Sequence, residues 1–312
     1  MRIIVTGGAG FIGSHVVEDL ISNGHEVHVL DNFSTGSRSW IHPSAITHVG
    51  DIRRRAIVSL IQSLQPDVIV HLAAQADVKK SQEDPYDDLA VNASGTIRLL
   101  QACASIPKTH FIFASTSAVY GDQSHTTISE SDSLHPSSCY GLSKWTAEQY
   151  IRLFSQQYEL RTSILRFANV YGPRQTPKGE GGVIALFTDR ILHNKPLLIH
   201  GDGEQTRDFI YVKDVSGAIQ SVAAHHLYDT FNVSTGKSVS INELSLIYEQ
   251  LSGRNIQRQR GMKRIGDIRH SCLSADKLQH QSSWRPSYPL HQGLALTWQY
   301  AAAVQSGQKS SI

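Results

Sequence analysis

Cysteine is scarce: only Cys103, Cys139 and Cys272 occur in 312 residues. They show no paired spacing, so neither a disulfide framework nor a cysteine-built zinc site is indicated, no metal is expected, and a reducing compartment fits. A charge of one sign is also missing. The 29 basic and 27 acidic side chains leave a net charge of +2, which offers no pull toward nucleic acid or a membrane surface. Long hydrophobic runs are absent as well. No stretch approaches the roughly 20 apolar residues of a membrane span, and the run from Ile3 to Gly7 is too short and too glycine-rich for a signal peptide. The expectation is a soluble cytoplasmic protein. What is present is a hydrophobic fraction of 40%, enough for a proper core. The length suits one large domain or two smaller ones sharing an active site.

The apolar pattern alternates between strand and helix. Residues 2–6 form a short apolar run, and a glycine-rich turn follows from Gly7 to Gly13. Val16, Val17, Leu20 and Ile21 stripe a helix over 11–22, which Gly24 stops. A second strand over 27–30 ends at Asp31. Ile57, Leu60, Ile61 and Leu64 share a helical face, Pro66 ends that helix, and 68–71 is a third strand. A helix over 92–104, a strand over 110–114, a long helix over 140–157 and a strand over 162–166 continue the series. Strands separated by helices imply a parallel, doubly wound α/β sheet covered on both faces.

After about Tyr171 the character changes. Glycine and proline become frequent, short elements follow, and Ser240 with Glu243 makes a capping box before a helix over 241–251. The residues from about Gln305 are polar and expected to fray. The reading is a dinucleotide domain over 1–170 and a smaller α/β lobe over 171–312. A segment near 208–236 is expected to return to the first domain. Ligands of such sheets sit beyond the carboxyl ends of the strands, so the cleft between the lobes is the expected site.

Gly7-Gly8-Ala9-Gly10-Phe11-Ile12-Gly13 lies between a strand and a helix. Such glycines permit a tight turn and close approach of backbone to a pyrophosphate, and the helix N-terminus favours that anion. Asp31 ends the second strand, 18 residues after Gly13. A carboxylate there accepts from a ribose 2′-hydroxyl and repels a 2′-phosphate, which selects NAD over NADP. Asp51 and Ile52, after a later strand, either flank the adenine or, for Asp51, simply cap a helix before Arg53. Tyr140 and Lys144 are four positions apart on a helix and share a face. An ammonium beside a phenol lowers its pKa from about 10, which makes it a proton carrier near neutrality. Ser115, Thr116 and Ser117 end a strand, either as caps or as a hydroxyl bridging the tyrosine to a substrate oxygen.

These stretches, with HLAAQ from His71, VN at Val91-Asn92, ASTSAVYG from Ala114, YGLSK from Tyr140, RFANVYGPRQ from Arg166, GDGEQTRDFIYVKDV from Gly201 and IGDIRHS from Ile265, resemble the extended short-chain dehydrogenase/reductases. Within them the sequence is most similar to the nucleotide-sugar epimerases and dehydratases, from Met1 to about Gly293. The resemblance implies a Rossmann-type fold and a homodimer, joined through the helix after Asn92 and the helix of Tyr140. It implies that Tyr140 is the acid/base, that Lys144 holds the nicotinamide ribose and tunes Tyr140, and that Thr116 is the helper hydroxyl. Gly7, Gly10, Phe11, Ile12, Gly13, Asp31, Asn32, Asp51, Ile52, Leu72, Ala73, Ala74, Gln75 and Asn92 are implied to line the NAD cleft. Asn169, Arg207 and Arg264 match positions that hold a diphosphate, Val183 a substrate contact, and Asp267 a uridine-ribose contact. Guanidinium suits phosphate because its donors match the oxygens.

Three chemistries share the opening oxidation at C4. A 4,6-dehydratase of this family carries Asp-Glu directly after the helper threonine, and a decarboxylase carries Glu where Ala118 stands. Here those positions are Ser117 and Ala118, which do no general acid/base work. Epimerisation needs only Tyr140, Lys144 and Thr116. HLAAQADVKKS is similar to epimerases acting on UDP-glucose and UDP-galactose, so a 4-epimerase of UDP-hexoses is expected. Ser271 matches a wall near the sugar's 2-substituent, and its small size implies tolerance of N-acetylhexosamines. Lys79 and Lys80 leave a UDP-glucuronate reading open if they reach a carboxylate, and are otherwise a solvated loop. A non-catalytic NAD-binding regulator on the same scaffold is the reading from another class.

Overall fold

The computed structural model describes residues 1–106, 108–123, 127–177, 182–263 and 268–307. The chain opens with β1 (Arg2–Thr6), α1 (Phe11–Ser22), β2 (Glu26–Asp31), β3 (Ile46–Val49), α2 (Ala56–Leu64) and β4 (Val68–His71). It continues through α3 (Val78–Glu83), α4 (Pro85–Leu89), a π-helical segment Ala90–Ser94 and α5 (Gly95–Cys103) to β5 (His110–Thr116), α6 (Cys139–Tyr158) and β6 (Arg161–Phe167). The remainder comprises β7 (Asn169–Tyr171), α7 (Val183–Leu192), β8 (Leu197–His200), β9 (Thr206–Tyr211), α8 (Val212–Ala224), β10 (Thr230–Val233) and β11 (Ser238–Ser240). Helix α9 (Ile241–Ser252), β12 (Arg258–Gly261), β13 (His270–Ser271), α10 (Asp276–Gln281) and α11 (Leu290–Gln305) complete it.

Seven strands form one sheet in the order β10-β6-β5-β4-β1-β2-β3, and every pairing in it is parallel. Strand side chains alternate between faces. Ile3, Val5, Val27, Val29, Val68 and Val70 therefore pack on one side with Val16, Val17 and Leu20 of α1 and Val215, Ile219 and Val222 of α8. Ile4, Leu30, Ile69, Phe111 and Phe113 pack on the other with Ile57, Ile61, Leu99, Cys103, Ala147 and Ile151. Each such side chain contributes about 1.5–3 kcal/mol by leaving water, so both faces are held independently. The chain leaves β1 toward β2 and β3, then returns to β4, β5 and β6 on the other side. The crevice where this order reverses lies between the ends of β1 and β4, where a doubly wound sheet binds its ligand.

Strand β9 sits in a second sheet with β11, β13 and β7, while β8 pairs with β12. Tyr171, Phe187, Phe209, Leu244, Tyr248 and Leu294 form the core of that lobe. Helix α8 and strand β10 return to the first lobe, the helix against α1 and the strand beside β6. The capping box is formed: Ser240 Oγ accepts from Glu243 N at 3.1 Å, and the Glu243 carboxylate accepts from Ser240 N at 2.8 Å.

Candidate active site

The glycine loop is built by close backbone contact. Gly7 has φ +71°, and a Cβ there would lie 2.7 Å from Ala73 N. At Gly13 a Cβ would meet Gly7 O at 2.1 Å. Helix α1 begins after Gly10, which offers no side-chain cap, and uncapped N–H groups at a helix start suit an anion. Asp31 closes the loop from the next strand: its carboxylate accepts from Ala9 N at 2.9 Å and Phe33 N at 2.8 Å. A carboxylate has about four lone-pair sites, and two remain for ribose hydroxyls.

Asp51 is held by its neighbour. It accepts from Arg53 N at 2.9 Å and from the Arg53 guanidinium at 2.7 to 3.2 Å, and from Asn32 Nδ2 at 3.2 Å. The Arg53 hydrogen bond holds its pKa down, at about 2. Asp51 does not cap a helix: α2 starts at Ala56 behind Arg55 with no side-chain cap bond, and Asp51 instead ties the turn at Arg53. The Ile52 side chain is buried against Gly95, where a Cβ would lie 2.6 Å from it.

The loop of Leu72, Ala73, Ala74 and Gln75 is fixed from below by two residues. Asn92 is buried, accepts from Gln75 N and donates to Gln75 O, both at 2.9 Å, and reaches Ser143 of α6 at 3.0 Å. His71 bonds Thr6 at 2.7 Å and Thr96 at 3.0 Å. Burial, with Lys144 nearby, drives its pKa well below the usual histidine range, so it stays neutral. HLAAQ contains His71, but its role was invisible in sequence because both partners lie far along the chain.

Helix α6 starts one residue before Tyr140, capped by Ser138, whose hydroxyl accepts from Gly141 N at 3.1 Å. Gly141 lets the helix close on the turn after Thr116: a Cβ there would lie 2.6 Å from Ala118 O. Lys144 is buried with Nζ 4.1 Å above the Phe113 ring centroid, a placement that favours the cation. Thr116 ends β5, and its hydroxyl accepts from Ala118 N at 3.2 Å.

Tyr140, Ser115 and Thr116 line a cavity of about 510 Å³ together with Phe11 and Ile12 of α1. Asn169, Val183 and Arg207 line the same cavity from the second lobe. Asn169 donates to Asp208 O at 3.2 Å, and Asp208 accepts from Thr235 and Gly236, which stiffens the strand carrying Arg207. Among the described residues lining the cavity, none is Asp or Glu. Gln175, His200 and Phe209 also line it, unassigned in sequence although each lies in or beside a quoted motif. Ser271 pairs in register with Arg207 but is buried and lies outside this lining. Arg264 and Asp267 lie outside the described residues. Lys79 and Lys80 do not reach the cavity; they pair with Glu83 and Asp87 at 3.4 and 3.3 Å on the surface.

A doubly wound sheet with a glycine turn, a carboxylate ending the second strand and a tyrosine–lysine helix defines a dinucleotide-dependent enzyme of the short-chain dehydrogenase/reductase kind. Residues 3–234 match the NAD dependent epimerase/dehydratase family, and the chain belongs to it. It is 40% identical over 293 residues to a protein described as a putative UDP-glucose 4-epimerase of Methanocaldococcus jannaschii, covering 94% of this chain and 95% of that one. The structure of a UDP-glucose 4-epimerase from Thermotoga maritima with UDP-glucose superposes with a TM-score of 0.93 at 38% identity, covering 98% of this chain and 100% of that one. A UDP-glucose 4-epimerase of Thermus thermophilus in complex with NAD gives 0.92 at 38% identity, covering 96% and 99%.

Proposed function

We propose that the chain inverts C4 of UDP-hexoses through a 4-keto intermediate. Tyr140 is the proton carrier, Thr116 the bridging hydroxyl and Lys144 the cation that tunes the phenol. The observation that carries this reading is the cavity itself, which brings Tyr140 and Thr116 together with Asn169 and Arg207 and contains no described carboxylate. Dehydration across C5 and C6 in this family draws on a carboxylate pair, and no described carboxylate lies in this lining. Lys79 and Lys80, facing solvent, give a uronic-acid substrate no support.

NAD fits the crevice: Gly7 and Gly13 let the turn close backbone on backbone, α1 follows it with no side-chain cap, and Asp31 suits an unphosphorylated ribose. The cofactor supplies a hydride acceptor that is restored in each cycle. Residues 1–170 hold it, and the sugar nucleotide rests mainly on 171–312, with Arg207 on the diphosphate. The protein's own task is to take the 4-hydroxyl proton onto Tyr140 and return it. Between those events the keto sugar turns within the cavity and presents its other face.

Purified protein given UDP-galactose without added NAD is expected to form UDP-glucose, seen by product chromatography. No conversion of any UDP-hexose offered would refute the reading. A second expectation concerns Ser271, which stands beside Arg207 on the neighbouring strand. A tyrosine there must crowd Arg207 or enter the cavity. Ser271→Tyr is expected to cut UDP-N-acetylhexosamine turnover by about tenfold or more while sparing UDP-galactose; equal loss on both, in paired kinetic assays, would discard the selectivity role.

A homodimer is part of this proposal. Tyr86 and Leu89 of α4 and Leu142, Tyr150 and Leu153 of α6 are large exposed apolar side chains, and a second copy would remove them from water. The three unpaired cysteines support residence in the cytoplasm.

A further inference from the structure

Among the described residues the largest fully buried side chain is a charged one, Arg166. It meets Glu148 at 2.6 and 3.0 Å, and the two are 1% and 0% exposed. Burying such a pair costs desolvation that attraction barely offsets, and apolar residues of equal volume serve stability as well or better. Its retention therefore calls for a role that depends on direction.

The partners define that direction. Glu148 lies one turn beyond Lys144 on α6. Its Oε1 accepts from Ser115 Oγ at 2.6 Å as well as from Arg166. Ser115 and Arg166 are register partners across β5 and β6, so one carboxylate ties two adjacent strands to the helix that carries Tyr140. Arg166 also donates to Tyr120 OH at 2.9 Å, and Tyr120 OH donates to Asn232 on β10 at 2.7 Å. Neither Glu148 nor Arg166 lines the cavity, whereas Ser115 and Thr116 do.

We infer that Glu148 and Arg166 are a positioning pair for the reaction, holding the Ser115–Thr116 strand end in register with Tyr140 and Lys144 through the Ser115 hydroxyl. This rests on the proposed epimerisation. The pair moves no proton and touches no substrate. It fixes the distance between two groups that do, and a misplacement on the order of 1 Å costs about 100-fold in rate.

The test uses the NAD-loaded enzyme and removes both charges at once, because a lone buried charge would unfold the chain. Glu148→Leu/Arg166→Met is expected to fold, to keep its NAD and its KM, and to lose about 10- to 100-fold in kcat. A folded double variant with the parent's kcat overturns the inference. Should that variant not fold, Ser115→Ala decides, since it leaves the ion pair intact and removes only the link. A fall in kcat at constant KM and thermal midpoint, recovered by Ser115→Thr, supports the role; an unchanged kcat overturns it. Amide exchange at residues 114–118 is followed on the same proteins. Exchange about tenfold faster and confined there supports the inference, and equal exchange overturns it. This readout holds even if the parent converts no UDP-sugar, a result that would count against the proposed reaction alone.

Discussion

Tyr140→Phe is expected to lower kcat for UDP-galactose conversion by about 10²–10⁴-fold, the usual worth of a positioned general acid/base. Only an oxygen is lost. The ring, its helix and the Ser138 cap are unchanged, so NAD content, thermal midpoint and KM should stay close to those of the parent. Steady-state kinetics with product chromatography, alongside cofactor release on denaturation, checks all of these. Phenylalanine carries no ionisable group, so nothing at that position can take up or return the 4-hydroxyl proton. A Phe variant interconverting the sugars at the parent's rate would remove the proposed mechanism.

Gly13→Ala is expected to empty the cofactor site. Two effects compete. Alanine is the better helix former by about 1 kcal/mol. Against it, the new methyl would meet Gly7 O at 2.1 Å, Gly7 C at 2.8 Å and Gly8 Cα at 2.8 Å, all backbone. Backbone in a tight turn cannot yield as a side chain does, and overpacking costs about 1–3 kcal/mol or more. The clash wins, and relief comes from opening the turn that should receive the pyrophosphate. The variant is expected to purify without NAD and to melt several degrees lower. Gly217→Ala is the control: the same residue change in a helix, where the nearest atoms are 3.6 Å away on Trp284, should leave cofactor content and activity intact. Gly13→Ala protein that retains full NAD occupancy would show that the loop has more give than these distances allow.

The sequence exposed the parts of the fold that repeat a period. β1, β2, β4, β5 and β6 are apolar runs, and the helices between them carry stripes, so both were readable. β3 was implied only as a strand before Asp51, without bounds, because it is an edge strand whose Ile46 and Val49 face solvent and no run announces it. The helix expected over 92–104 divides into a π-helical segment, Ala90–Ser94, and α5; wider turns leave no mark on a 3.6-residue pattern. The chemical groups were legible where a motif is local, as with the glycine turn and the Tyr140–Lys144 pair. Groups whose meaning depends on distant partners were not. Asn92 was implied only as a cofactor contact, yet in the structure it anchors the Gln75 loop to α6. Arg166, an arginine closing a strand, gave no hint that it is buried on a glutamate 18 positions away.

Gly141 carries a consequence for how the site resists change. Where helix and turn meet at Ala118 O, main chain rests on main chain with no side chain between them. Such a joint has few rotamers to exchange and little volume to lose. Substitutions elsewhere in either core can shift their own neighbours and still leave the gap between the phenol and the threonine hydroxyl as it was. The tolerance of the surrounding scaffold to sequence drift is thus bounded at one point by the absence of a methyl group.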